Sequence, residues 1–278
     1  MNDLLIPKIL GTVNADRLSI GKGVIIEEDV VITGRDGPAE MIVLGDFCYI
    51  GRHTRIMVPE FRLGDYSKLH AFSYAHGEMP LRIGRNCWIG GNTVLDSMGG
   101  LDIDDNVGIG SHSQIWTHIQ FGDIIEGCRF FSKRSMKIES DAWFVGHCIV
   151  SPVDVGKKSM AFAGSVITRD MLPNRVYAGV PATDITNKVG PQFEERSVEE
   201  KTNILQDHID KFVSENVQFK DQLLVIKSSS EIKKGVTCFN VMDRTYTKLY
   251  TLAEINFLKK HIPLIKFIPK DEPSFING

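Results

Sequence analysis

The chain has 278 residues, of which 42% are hydrophobic and 24% charged, with a formal net charge of -3. That composition supports a folded chain of about two structural units and gives no general attraction to nucleic acid or to an anionic membrane. The opening MNDLLIPKILGTVNAD lacks a basic segment followed by a long apolar run, and no later stretch is long enough to span a bilayer, so a cytoplasmic protein is expected.

From Ile20 onward the chain steps by six. IGKGVI, IEEDVV, LGDFCY and IGRHTR begin at Ile20, Ile26, Leu44 and Ile50. The phase slips and resumes as LGDYSK at Leu63, IGRNCW at Ile83, IGGNTV at Ile89, IDDNVG at Ile103 and IGSHSQ at Ile109. It returns as IESDAW, FVGHCI, VGKKSM, AFAGSV and ITRDML. Each unit reads aliphatic, then Gly or acid, two variable residues, a small or β-branched residue and one more. Six residues are too few for a helix pair, and the aliphatic recurs too regularly for simple strand alternation. Short parallel strands wound into a triangular prism satisfy the pattern, three units per turn, with the aliphatic and small residues inward and the second residue, often Gly, at the corner. Such a solenoid packs each coil only on its neighbours.

Extra residues leave a coil as surface loops, here expected at Gly34–Glu40, Pro59–Arg62, Ala71–Pro80 and, longest, Ile119–Lys137. Five cysteines show no CxxC spacing, and Cys48, Cys87 and Cys148 share one repeat position, so they read as buried packing thiols. After Pro191 the repeat disappears. Residues 194–216 predict an amphipathic helix; strands are expected at Leu223–Lys227, Thr237–Met242 and Tyr246–Tyr250, then a helix over Leu252–His261 capped by Thr251 through a TxxE box, a strand in IPLIKFIP and a tail DEPSFING. The expected division is a β-helix over 1–190 and a small helix-plus-α/β unit over 191–278.

The break after Thr117-His118 carries the chemistry. The repeats themselves, the closing elements Ala163-Gly164-Ser165-Val166-Ile167-Thr168-Arg169-Asp170 and Ala178-Gly179-Val180-Pro181-Ala182, and the order Thr117-His118, loop, Asp141-Ala142-Trp143 resemble the hexapeptide-repeat acyltransferases, in particular galactoside-type and polysaccharide O-acetyltransferases. The resemblance implies an all-β left-handed parallel β-helix and transfer of an acyl group, with acetyl-CoA as the expected donor, to a hydroxyl or amino group of a sugar or nucleotide-linked sugar. It implies no metal, a homotrimer, and sites between subunits. It assigns His118 as general base, the Gly146 amide as oxyanion donor, and Ala163, Ser165, Thr168, Arg169, Gly179, Pro181 and Ala182 to the coenzyme. Asn92, Asp96 and His76, with His70, are the acceptor-side candidates; His147 is a second candidate base or orienter.

The chemistry is coherent by itself. A thioester is already activated, so one imidazole that deprotonates the attacking group and one fixed N–H for the oxyanion suffice without a covalent intermediate. Family members often follow the Gly179–Ala182 turn with Arg for the coenzyme phosphates; here Thr183 stands there, and Lys157, Lys158, Arg169 or Lys188 would have to supply the charge. Two other readings compete: a noncatalytic trimeric scaffold, and a γ-type carbonic anhydrase-like metalloenzyme, for which His76, His112 and His118 are one residue off the wanted spacing.

Overall fold

The computed structural model describes residues 3–270 and 272–277, so Asp271 and Gly278 of the expected tail, and Met1 and Asn2 of the opening segment, lie outside the described residues. The chain divides into two compact units, Met1–Phe193 together with Ser274–Gly278, and Glu194–Pro273.

The first unit is a prism of three sheets of parallel strands. Its first face stacks Ile26, Ile50, Leu69, Ile89, Ile109, Phe144 and Ala161 in register, all inward and at most 1% exposed. The second face stacks Ile32, Ile56, Ala75, Leu95, Ile115, Val150 and Ile167, and the third Leu44, Leu63, Ile83, Ile103 and Ile138. These are the six-step aliphatics of the sequence, and each buried Ile or Leu contributes about 1.5–3 kcal/mol relative to exposure.

The second-position glycines stand at the corners as expected, but they are not the residues that take the left-handed conformation there. That conformation falls on the fourth residue of the unit, as at Asn86 (φ 55°), Asn92 (φ 58°) and His112 (φ 61°). The glycines are required by close approach instead: a Cβ on Gly64 would stand 2.5 Å from the carbonyl carbon of Gly84 in the next coil. Nor are Pro59–Arg62 and Ala71–Pro80 loops. Strands Glu60–Leu63 and Tyr74–His76 run through them in register, because the slip is absorbed by a slightly longer corner after the second face. Leu69, Ile89 and Ile109 therefore recur every 20 residues along the first face.

The long insertion behaves differently. Ile109 pairs with Phe144, 35 residues on, yet Ile103 still pairs with Ile138, so the chain leaves and rejoins the prism without disturbing its register. Its base is a small antiparallel ladder, His118–Ile119 with Ser132–Lys133. Cys48, Cys87 and Cys148 are buried at corners as expected; the Cys48 thiol lies 3.0 Å from the Gly64 carbonyl, and burial, followed by the Asp65 and Asp46 carboxylates, pushes it well above its ordinary value.

Residues 191–193 group with the prism rather than with the second unit. Asn174 exchanges two 3.0 Å hydrogen bonds with the Phe193 backbone, and Gln192 donates to the Asp141 carbonyl at 2.9 Å. Phe275, beneath the Arg85 guanidinium at 5.8 Å, belongs to the same unit. The second unit has a helix Val198–Glu215 opened by a Ser197/Glu200 capping box, which the sequence reading missed. A four-stranded sheet follows, Leu223–Ile226, Thr237–Asn240, Thr245–Tyr246 and Ile268–Pro269, with helix Leu252–His261. Thr251 caps that helix, but Glu254 turns to the Leu249 and Tyr250 amides and to Thr237 Oγ1, tying helix to sheet.

Candidate active site

Strands Tyr74–His76, Val94–Asp96 and Gln114–Ile115 are successive rungs of the second face. Alternation points Ala75, Leu95 and Ile115 inward and sends His76 and Asp96 to the outer side. Beyond Ile115 the chain leaves the face, and Trp116, Thr117 and His118 wrap over the end of the Asp96 rung.

Asp96 is fully buried there. Its Oδ2 accepts from the Thr117 amide at 2.7 Å, from Thr117 Oγ1 at 2.8 Å and faces His118 Nδ1 at 2.8 Å. Thr117 Oγ1 in turn accepts from the Gly99 amide at 2.9 Å, which fixes the direction of its own proton toward the carboxylate. An ionised carboxylate only accepts, so His118 Nδ1 carries the hydrogen and Nε2 keeps its lone pair. The His118 side chain is 21% exposed, leaving that edge reachable. Trp116 stands edge-on at 6.2 Å, and the Ser132–Lys133 strand holds the backbone of His118 from the other side. The arrangement is a buried acid, an oriented imidazole and an open basic nitrogen, suited to removing a proton from a neutral nucleophile.

The other predicted residues fall into three groups. His76 joins the cluster: its Nε2 is 4.0 Å from Asp96 Oδ1. Asn92 does not, since it sits exposed at the corner that starts the Val94–Asp96 strand, with its amide bonded to the Ala71 carbonyl at 3.1 Å. His70 also lies elsewhere, between Tyr49 and Trp88 with ring centroids 5.7 and 4.9 Å away, its Nε2 without a hydrogen-bond partner among the described residues and burial holding its pKa below the ordinary value. His112 and His147 stack on each other at 4.8 Å on the corner that leads into the second face, the opposite end from His118. Among the described residues no group of three His, Cys, Asp or Glu side chains is arranged to hold a metal ion.

Gly146 occupies that same far corner at φ 148°, and its N–H donates to no acceptor among the described residues. About five residues of extended chain, roughly 16 Å, separate this corner from the end of the face where His118 sits. One chain therefore does not bring the two together. Ala163, Thr168 and Arg169 are exposed on the last coil, whereas Ser165 is buried and turns its hydroxyl to the Phe162 carbonyl at 2.6 Å. The second face ends at Val166–Ile167, so one edge of that strand has no partner strand among the described residues. Gly179 and Ala182 pair across a tight antiparallel hairpin whose turn is Val180–Pro181. Lys158 lies 5.2 Å over the Phe193 ring, and Arg169 and Lys157 form no ion pair among the described residues.

Sequence reasoning named Thr117 only as a neighbour of the histidine and missed its part in holding Asp96. It gave Asp96 to the acceptor and named no contact with His118, because an Asp gives no sign in sequence of which oxygen meets which donor. No helix is long and apolar enough to cross a membrane among the described residues.

No family model matches the chain. It is 30% identical over 113 residues to the galactoside O-acetyltransferase of Escherichia coli K12, a match covering 40% of this chain and 54% of that one. It is 28% identical over 98 residues to a candidate serine acetyltransferase of Schizosaccharomyces pombe, covering 35% of each. The chain thus spans about half or less of the length of the curated relatives it matches. Among solved structures, a point mutant of AntD, an N-acyltransferase from Bacillus cereus in complex with dTDP-4-amino-4,6-dideoxyglucose and coenzyme A, is similar with a TM-score of 0.43 and 18% identity, covering 69% of this chain and 90% of that one. The chain is thus similar in sequence, over part of its length, to two acetyltransferases, and its repeat forms a prism of parallel strands.

Proposed function

We propose that the protein transfers an acyl group, in the first instance acetyl, from coenzyme A to a hydroxyl or amino group of a sugar or nucleotide-linked sugar. The observation that carries the reading is the His118 Nδ1 contact of 2.8 Å to a buried Asp96, which leaves Nε2 as a base beside the break in the coil. His118 Nε2 takes the acceptor proton as its oxygen or nitrogen attacks the thioester carbonyl. The tetrahedral oxyanion collapses, the C–S bond breaks, and the coenzyme leaves as thiolate, which takes the proton back from His118.

The oxyanion donor in this reading is the Gly146 N–H, which has no acceptor among the described residues. Because that amide and His118 lie at opposite ends of the second face, the two roles are compatible only if Gly146 of one subunit meets His118 of another. That requirement supports a homotrimer with shared sites, in which flat prism faces are also buried. The unpartnered edge at Val166–Ile167 offers main-chain donors for the amides of the coenzyme's pantetheine arm, with Ala163 and Thr168 flanking it and the Gly179–Ala182 hairpin at the nucleotide end. Ser165 contributes through its backbone alone, as its hydroxyl is engaged. Arg169 and Lys157, with no ion pair among the described residues, are the cations for the coenzyme phosphates in place of the absent Arg at Thr183.

Thiol release from acetyl-CoA against a panel of sugars and nucleotide-linked amino sugars tests this. Release that depends on a particular sugar and falls by about three orders of magnitude or more in His118→Ala supports it. Equal release from both proteins removes His118 from the mechanism, and silence across the panel with no coenzyme binding by calorimetry points to a scaffold.

A further inference from the structure

Asp96 has two carboxylate oxygens, and His118 uses one. Oδ2, with three donors at 2.7–2.8 Å, is saturated. Among the described residues Oδ1 receives only the Met98 amide, at 3.3 Å, and so retains acceptor capacity in a buried place where unused capacity is costly.

His76 is in register to supply it. His76 and Asp96 are direct partners on adjacent rungs, so the backbone ladder fixes their spacing. The imidazole is stacked on Tyr74 at 5.0 Å and 22°, and meets the Trp116 ring edge-on at 6.5 Å. Its Nε2 stands 4.0 Å from Oδ1, about 1 Å beyond hydrogen-bond range. The charged and titratable groups facing it are Asp96, His118, Arg35 and the stacked Tyr74; Glu78, two residues on, is engaged by Arg35 and Lys133. Burial lowers the pKa of His76 and the His118 and Arg35 charges lower it further, against the pull of Asp96, so the balance favours the neutral ring.

We propose that His76 is a positioning residue for the base: its Nε2–H is the third side-chain donor to Asp96, bonding Oδ1 and holding the carboxylate plane so that Oδ2 stays on His118 Nδ1. A neutral donor does this without competing for the charge that stabilises the imidazolium formed at His118, which a Lys or Arg in the same place would do. The role differs from the acceptor contact expected from the sequence, and the two have opposite kinetic signatures. The kinetic part rests on the acyltransferase reading; the coupling of the two imidazoles through one carboxylate does not.

Two variants separate the possibilities. His76→Phe keeps a ring against Tyr74 and Trp116 but has no N–H; His76→Gln has an N–H at similar reach but no ring. Positioning predicts that His76→Phe lowers kcat about tenfold with KM for both substrates within about twofold, and that His76→Gln restores the rate to within about threefold of wild type. A rise in acceptor KM at unchanged kcat in both variants overturns the proposal in favour of an acceptor contact. A wild-type rate in His76→Phe, or an equal loss in the two, overturns it in favour of packing. Independently of turnover, the His76 imidazole is followed by NMR titration of histidine-labelled protein in the wild type and in His118→Asn. The midpoint of His76 moves up when the His118 imidazole is removed. An unmoved midpoint refutes the coupling whether or not the protein transfers acyl groups, and a moved midpoint in a protein without turnover leaves the coupling standing while sinking the enzymatic reading.

Discussion

Replacing Asp96 by Asn is the most informative single change, because the two readings of this residue predict different parameters. Asn is isosteric, so the shape of the rung is kept. Two donors from Thr117, at 2.7 and 2.8 Å, and His118 Nδ1 converge on Oδ2, which makes the amide oxygen settle there and preserves the Nδ1–H tautomer of His118. The amide NH2 must then face the Met98 amide, which now lacks an acceptor. The lost term is the negative charge opposite the imidazolium: about 1.5–3 kcal/mol for a charge-assisted bond, or roughly 10- to 100-fold in kcat. The donor left facing a donor costs about 1–3 kcal/mol of stability. In the thiol-release assay, kcat should fall about 30-fold while acceptor KM stays within about threefold, and thermal unfolding should show a lower midpoint. A tenfold or larger rise in acceptor KM with kcat retained would refute the orienting role and return Asp96 to the acceptor pocket.

Shared sites have a numerical signature: randomly mixed trimers of His118→Ala and Ala163→Trp, each inactive alone, should regain about a quarter of the wild-type sites, whereas sites contained in one chain give none. Acid should destabilise the fold early. His70, His76 and His261 are all held below the ordinary histidine pKa, mainly by burial, so the unfolded chain takes protons first; stability should be level above about pH 7 and fall as pH drops below about 6.5, which urea midpoints across pH would check. His70→Phe removes the unpartnered Nε2 between Tyr49 and Trp88, and should both raise the urea midpoint, by about 1 kcal/mol in stability, and flatten that acid slope; a loss of stability would mean that the nitrogen has a partner in solution. Ile89→Ala, fully buried between Leu69 and Ile109, should cost about 3 kcal/mol in the same measurement.

The prism was legible because one physical requirement, an aliphatic side chain on every rung of each face, is written into the chain every six residues. What periodicity could not show was how corners absorb extra residues. Pro59–Arg62 and Ala71–Pro80 read as loops because the phase slips there, while parallel pairing holds Phe61 opposite Leu81 and Ala75 opposite Leu95. The same limit applies at the site. The position of His118 at the break was legible; its contact with the Asp96 carboxylate, 22 residues earlier, was not, because rung-to-rung contacts depend on the exact coil length. Asn92, near it in sequence, is the counterexample, since four residues along an extended strand carry a side chain from one corner to the next. In the second unit the Thr251 cap was visible as TxxE, yet the Glu254 carboxylate reaches into the preceding turn, a choice made by tertiary packing with Thr237 rather than by local spacing.

The insertion between Ile109 and Phe144 leaves the registers on either side untouched, since Ile103 with Ile138 and Ile115 with Val150 still pair. Closing a longer excursion adds only about 0.6 kcal/mol for each doubling of its length. The segment beyond the His118–Ile119 and Ser132–Lys133 ladder can therefore be lengthened, shortened or exchanged at small thermodynamic cost, with His118 kept in place by its own rung. A library of grafted excursions on this one scaffold would vary what approaches His118 while every member inherits the same His118–Asp96 contact, making the coil a host for surroundings that it does not itself encode.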